Sequence, residues 1–241
     1  MADLSSLGEV RRVAEEFLRR HDRLDVLVLN AGALFTGRQV SVDGLEMTFG
    51  LNHLSHFLLT LLLVEGLRAS PSARVVTVSS SAHLGCTIDF DDLQAERRYD
   101  RLEAYGRSKL ANLLFTFELA RRLKGTRVTA NAFHPGIVAT HLGSDRGWLR
   151  ARARNLLKRG MLTAEEGART GILLATSPDL EGVTGRYFVD RREAPSSEAS
   201  RDAAAAARLW RVSEDLTGVR WSATGAGATA LAAPRSGTAR N

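Results

Sequence analysis

The chain has 241 residues, 44% of them hydrophobic and 25% charged, with 33 Lys and Arg against 27 Asp and Glu and a net charge of +6. That length allows one domain with a sizeable core. The basic residues are scattered among acids and no known nucleic-acid module is visible, so solvated helix faces account for the charge and no nucleic-acid partner is expected. The single cysteine, Cys86, excludes an internal disulfide, and no basic-then-apolar leader precedes the first helix. The longest strongly apolar run, Phe57 to Val64, is far shorter than the ~20 residues that span a bilayer. A reducing, cytoplasmic setting without a transmembrane segment is the expectation.

Ser6-Leu7-Gly8-Glu9 has capping-box spacing, and Val10, Val13, Ala14, Phe17 and Leu18 follow at helical intervals, which predicts a helix to about Arg20. Val26 to Leu29 is a short continuous apolar run of the kind found in strands buried on both faces. Residues 44–67 predict a long apolar helix, 74–78 a β-branched strand, 102–123 a helix closed by basic residues and Gly125, and 128–133 a third strand. Residues 144–160 are Arg-rich around Trp148 and Leu149. Beyond them, 164–176 predicts a helix, 185–189 a last strand and 200–216 a closing helix. Strands separated by helices imply an α/β, Rossmann-like, doubly wound parallel sheet with helices on both faces, over residues 1–221. Residues 222–241 are poor in large apolar groups and read as a disordered tail.

Tyr105-Gly106-Arg107-Ser108-Lys109 places a tyrosine and a lysine four apart, on one helix face. An ammonium that favours phenolate makes tyrosine a usable acid or base nearer neutrality. Alone, this spacing also describes an ordinary helix with a half-buried tyrosine and a surface lysine. Its neighbours add weight. Val78-Ser79-Ser80-Ser81-Ala82-His83 leaves a strand where open α/β sheets bind ligands, and a hydroxyl there can donate to a substrate oxygen. Asn30-Ala31-Gly32 ends the first strand, Asn52 lies in Leu51-Asn52-His53-Leu54-Ser55-His56-Phe57, and His134-Pro135-Gly136 follows the third strand. His53 and His56 have no clustered acidic or cysteine partners, so no metal site is expected, and His83 and His134 are expected to satisfy local backbone groups.

In this order the motifs resemble the short-chain dehydrogenase/reductase family, and within it the retinol-dehydrogenase-like group. Asp3-Leu4, Ser108-Lys109-Leu110-Ala111-Asn112 and Gly185-Arg186-Tyr187-Phe188 add to the match. The resemblance implies an oxidoreductase that moves hydride between NADP(H), in preference to NAD(H), and a hydrophobic alcohol, aldehyde or ketone such as retinol or a lipid carbonyl. It implies that Tyr105 gives or takes the proton at the substrate oxygen, that Ser80 bonds that oxygen, and that Lys109 lowers the Tyr105 pKa and holds the nicotinamide ribose. Asn52 would hold a proton-relaying water. Asn30, Ala31 and Gly32 would lie along the cofactor, Pro135, Gly136, Val138 and Thr140 would close over the nicotinamide, and Asp3 would meet the adenine. Residues 141–162 correspond to the substrate loop, and a homo-oligomer is expected of the full-length form.

The family's Gly-rich phosphate turn normally precedes the Asp-Leu pair and has no counterpart here, so the chain reads as N-terminally truncated. A start assigned too far downstream and a genuine remnant both fit, and the intact Ser80, Tyr105 and Lys109 favour the first. The competing function is a non-catalytic remnant or interaction module that docks through an exposed sheet edge.

Overall fold

A computed structural model describes residues 1–138 and 161–222, together with the backbone of 229–230. Its order is α1 (Leu7–Arg20), β1 (Val26–Leu29), α2 (Met47–Phe49), a π-helical turn (Gly50–Leu54), α3 (Ser55–Arg68), β2 (Ala73–Val78), α4 (Arg101–Arg122), β3 (Val128–His134), α5 (Ala164–Thr176), β4 (Tyr187–Val189), β5 (Arg192–Glu193), α6 (Glu198–Arg201), α7 (Ala203–Thr217) and a short antiparallel pair, β6 (Val219–Arg220) with β7 (Thr229–Ala230). Strands β1 to β4 are parallel in the order β1-β2-β3-β4, and β5 adds antiparallel to β4. The protein is α/β, as its alternating runs predict. The pairing of β7 falls within the segment read as a disordered tail; most of that segment lies outside the described residues.

Side-chain alternation sorts the strands onto two faces. Leu27, Leu29, Ala73, Val75, Val128 and Ala130 join the main core with Phe57, Leu58, Leu114, Phe115 and Trp210 from α3, α4 and α7. Val76, Val78, Phe133 and Phe188 point the other way and pack with Leu174 of α5. Strand β1 corrects an expectation. It is not buried on both faces: α5 covers mainly β2, and Val28 stays 49% exposed at the edge of the sheet.

Two helix starts also differ from the reading of the sequence. Ser6 precedes α1 without a side-chain cap; the Leu7 N–H is taken instead by Asp43 at 2.8 Å, and Glu9 pairs with Arg12. The capping box read from Ser6 and Glu9 does not form, and a loop distant in sequence takes the first N–H of the helix instead. The α2–α3 segment, Met47–Arg68, is long and apolar enough in length and composition to cross a membrane, which the shorter run Phe57 to Val64 did not reveal. Most of it is buried inside the fold, as a core helix of this architecture requires.

Candidate active site

Strand β2 delivers three serines to the carboxyl edge of the sheet. Ser79 is buried and donates its hydroxyl to the Lys109 carbonyl at 2.8 Å, locking β2 to α4. Ser81 is exposed. Ser80 is half-buried, and its Oγ accepts the Ala82 N–H at 3.2 Å, which leaves the hydroxyl proton available for an outside acceptor. Of the three, Ser80 is the one whose hydroxyl meets Tyr105.

Tyr105 and Lys109 lie one turn apart on α4, with Lys109 Nζ 5.5 Å from the centre of the Tyr105 ring. Their helix comes close to the Ser80 turn because residue 106 is glycine. A Cβ there would lie 2.5 Å from the Ala82 carbonyl oxygen and 2.6 Å from Cys86 Sγ, so any side chain would force α4 away. Sequence reasoning passed over Gly106; the signal was a glycine inside an otherwise helical run. Burial pushes the Tyr105 hydroxyl above its ordinary pKa, and a hydrogen bond with Ser80 pulls it back. The lowering expected from Lys109 is not among the causes that set the Tyr105 pKa in this state, and Lys109 is itself pushed down to about 8 by burial.

Lys109 is 3% exposed, and its ammonium, with three donors, reaches the Val78 carbonyl at 3.3 Å. Beside it runs the turn after β1. A Cβ on Gly32 would come within 3.3 Å of Lys109 Nζ and 3.2 Å of Asn52 Oδ1, so only glycine lets the chain pass so near without displacing either group. A buried ammonium short of acceptors, beside a glycine backbone, fits the hydroxyls of a ribose.

Asn52 belongs to the π-helical turn, where the Ser55 N–H reaches back to Gly50 and one extra residue is bulged out of the helix. Its side chain clasps Ala33 from both sides, accepting the Ala33 N–H at 2.8 Å and donating to the Ala33 carbonyl at 2.9 Å. It also donates to Ser108 Oγ at 3.0 Å, and Ser108 in turn donates to the Tyr105 carbonyl at 2.7 Å. One side chain thus joins the 30–33 turn to the helix of Tyr105.

Asn30 is exposed at the end of β1, and Ala31 is half-buried. Pro135, Gly136 and Val138 follow β3, where Val138 bridges to Leu162 and the Leu162 N–H reaches the Ile137 carbonyl at 2.8 Å. Thr140 and nearly all of the expected substrate loop lie outside the described residues. Asp3 is exposed and its carboxylate is occupied locally, accepting the Ser5 N–H at 3.0 Å and hydroxyl at 2.7 Å. Among the histidines, His53 Nε2 meets Ser213 Oγ at 2.9 Å, and His56 lies beside Lys109 and the Ala31 backbone. His134 departs from expectation, because its Nδ1 is buried without a hydrogen-bond partner.

Residues 1–148 match the short chain dehydrogenase family. Retinol dehydrogenase 14 of Mus musculus is 48% identical over 220 residues, covering 90% of this chain and 66% of that protein. Retinol dehydrogenase 12 of Homo sapiens is 46% identical over 219 residues, covering 91% and 69%. The chain therefore spans about two thirds of the length of these relatives. Among solved structures, a protein from Mycobacterium Paratuberculosis superposes with a TM-score of 0.70 at 36% identity, covering 90% of this chain and 74% of that one. The NADP active-site complex of Pseudomonas aeruginosa RhlG superposes at 0.58 with 27% identity, covering 79% and 74%. With the match of residues 1–148 and this level of identity, the chain belongs to the short-chain dehydrogenase family.

Proposed function

We propose that the chain carries the reacting end of an oxidoreductase that moves hydride between NADP(H) and a hydrophobic alcohol, aldehyde or ketone, a retinoid or another lipid carbonyl. The observation that carries this reading is the convergence of Ser80, Tyr105 and Lys109 beside the Gly32 turn that Asn52 pins. The substrate class leans on the retinol dehydrogenase relatives, and NADP in preference to NAD leans on the same group and on the NADP-bound neighbour.

When bound, the nicotinamide supplies or accepts the hydride. Lys109 and Tyr105 would hold its ribose, with Asn30, Ala31 and Gly32 on one side and Pro135, Gly136 and Val138 on the other. In the reducing direction Tyr105 donates its proton to the substrate oxygen while Ser80 donates a hydrogen bond to the same atom. A tyrosine held above its ordinary pKa by burial keeps the proton it must deliver. Once that proton has gone, the positive charge of Lys109 favours the phenolate left behind. Oxidation of an alcohol runs through the same groups in reverse. Asn52 acts first by holding the turn; the proton-relaying water assigned to it would use the remaining Oδ1 lone pair or its backbone. For the whole protein a homo-oligomer is proposed, and a solution mass of one subunit would count against it.

The test is titration of the chain with NADPH and NADH, followed through nicotinamide fluorescence, and then a screen of retinal and other apolar carbonyls. Saturable binding with turnover is expected, tighter for NADPH. A folded chain that binds neither coenzyme sinks the proposal for this chain.

A further inference from the structure

Behind Ser80 the chain closes a contact that the reaction above does not use. His83 is 1% exposed, on the single 3-10 turn Ser81–His83 that follows β2. Its Nδ1 lies 2.6 Å from the Ser80 carbonyl oxygen, and the backbone N–H of Ser197 reaches its Nε2 at 3.2 Å. A backbone N–H can only donate, so Nε2 must present its lone pair. The one ring proton of a neutral imidazole is then on Nδ1, from which it donates to Ser80. Adding a second proton would set two donors against each other at Ser197, and burial also holds this imidazole below its ordinary pKa. The Tyr187 ring packs edge-on at 5.4 Å between centroids, and His134 is the other titratable neighbour.

We propose that His83 is a positioning residue for Ser80: the Ser197 N–H selects the Nδ1–H tautomer of the ring, and that Nδ1–H holds the Ser80 carbonyl and so sets where the Ser80 hydroxyl meets the substrate oxygen. Among the described residues, the His83 N–H also reaches the same carbonyl, at 3.2 Å. The ring is bonded to a residue 114 positions downstream of its own. The role given to Ser80 rests on the functional reading above; the tautomer and its link to Ser197 do not.

Two isosteric halves of the imidazole separate the positioning role from a packing role. In His83→Asn the amide can donate from near the Nδ1 position, whereas in His83→Gln the amide oxygen can accept from Ser197 but the bond to Ser80 is lost. The expected result is that His83→Asn retains kcat within about threefold, while His83→Gln and His83→Ala lose about tenfold or more, with NADPH Kd unchanged in all three. Equal kcat in the Asn and Gln variants, or a parallel loss of kcat and NADPH affinity, would overturn it.

A readout independent of turnover is the 15N spectrum of the histidine side chains at pH 7. It should show His83 as the Nδ1–H tautomer. Ser197→Pro, which deletes the N–H while matching the Ser197 φ of −61°, should abolish that preference. The opposite tautomer in the parent chain, or an unchanged His83 in Ser197→Pro, would overturn the link. The expected tautomer in a chain that turns over no carbonyl with either coenzyme would overturn the function and the role of Ser80, and leave the link to Ser197 standing.

Discussion

Lys109 shows what the site costs the fold. Its folded pKa of about 8 lies below the ordinary 10.5, so burial favours the neutral amine more than the unfolded chain does, while the group stays protonated at pH 7 and carries the charge that the reaction needs. The preference is satisfied above the unfolded value and turns into a penalty as pH falls through the folded one; at neutral pH that penalty is about 3 kcal/mol. Lys109→Met should therefore unfold at higher denaturant or temperature than the parent while losing turnover, and an unchanged or lower Tm would contradict the burial argument. Tyr105→Phe separates binding from chemistry. It should still bind NADPH, more weakly by the ribose bond it loses, and lower kcat roughly 100- to 10,000-fold, the range of a lost general acid. A parent-like kcat in that variant would remove Tyr105 from the reaction.

At the scale of elements, the site depends on how closely α4 lies against the turn after β2. Gly106→Ala places a methyl within 2.5 Å of a backbone carbonyl, and a carbonyl cannot swing aside as a flexible side chain can. Overpacking of this kind costs about 1–3 kcal/mol. Because the strain falls between Tyr105 and Ser80, kcat should drop by more than KM rises, and kinetics on Gly106→Ala at saturating coenzyme will show it. Helix α7 is a separate matter. Its N-terminus is capped by Asp202, which accepts the N–H groups of Ala204 at 2.8 Å and Ala205 at 3.0 Å. Asp202→Ala should cost about 1 kcal/mol in urea unfolding and leave activity per folded molecule unchanged. An activity loss beyond that would mean that α7 does more than cover the core with Trp210.

At the scale of the molecule, the core holds two neutral histidines. His53 and His56 are both fully buried and pushed down to about 3 by desolvation, against an ordinary 6.5. His53 sits among the rings of Phe49, Phe57 and Phe115, and no acid pairs with either imidazole among the described residues. A folded value below the unfolded one gives stability that is present above pH 6.5 and lost as the pH falls toward 3. For the pair, the loss between pH 6 and 4 should approach about 3 kcal/mol per pH unit. His56→Gln removes one of the two protons and should halve that slope in denaturant unfolding across the interval. Equal slopes in the two proteins would mean that His56 is not the group that titrates.

The alternation of apolar runs and helical periods in this sequence determined the parallel sheet, because period-2 and period-3.6 patterns bury different faces and leave few ways to pack. The spacing of Tyr105 and Lys109 placed both on one helix face, since four residues complete a turn. Long-range contacts decided the rest. Which of Ser79, Ser80 and Ser81 meets the tyrosine depends on Ser79 being spent on the Lys109 carbonyl, 30 positions away. That Asn52 clasps Ala33 depends on a π-helical bulge, which propensity does not encode, and that α1 is capped by Asp43 rather than Ser6 depends on a loop 36 residues downstream. Sequence by itself determined the kinds of residue the chemistry uses and the elements that carry them. Only the tertiary structure decided which polar groups remain free, because a buried donor or acceptor takes whichever partner packing brings within reach.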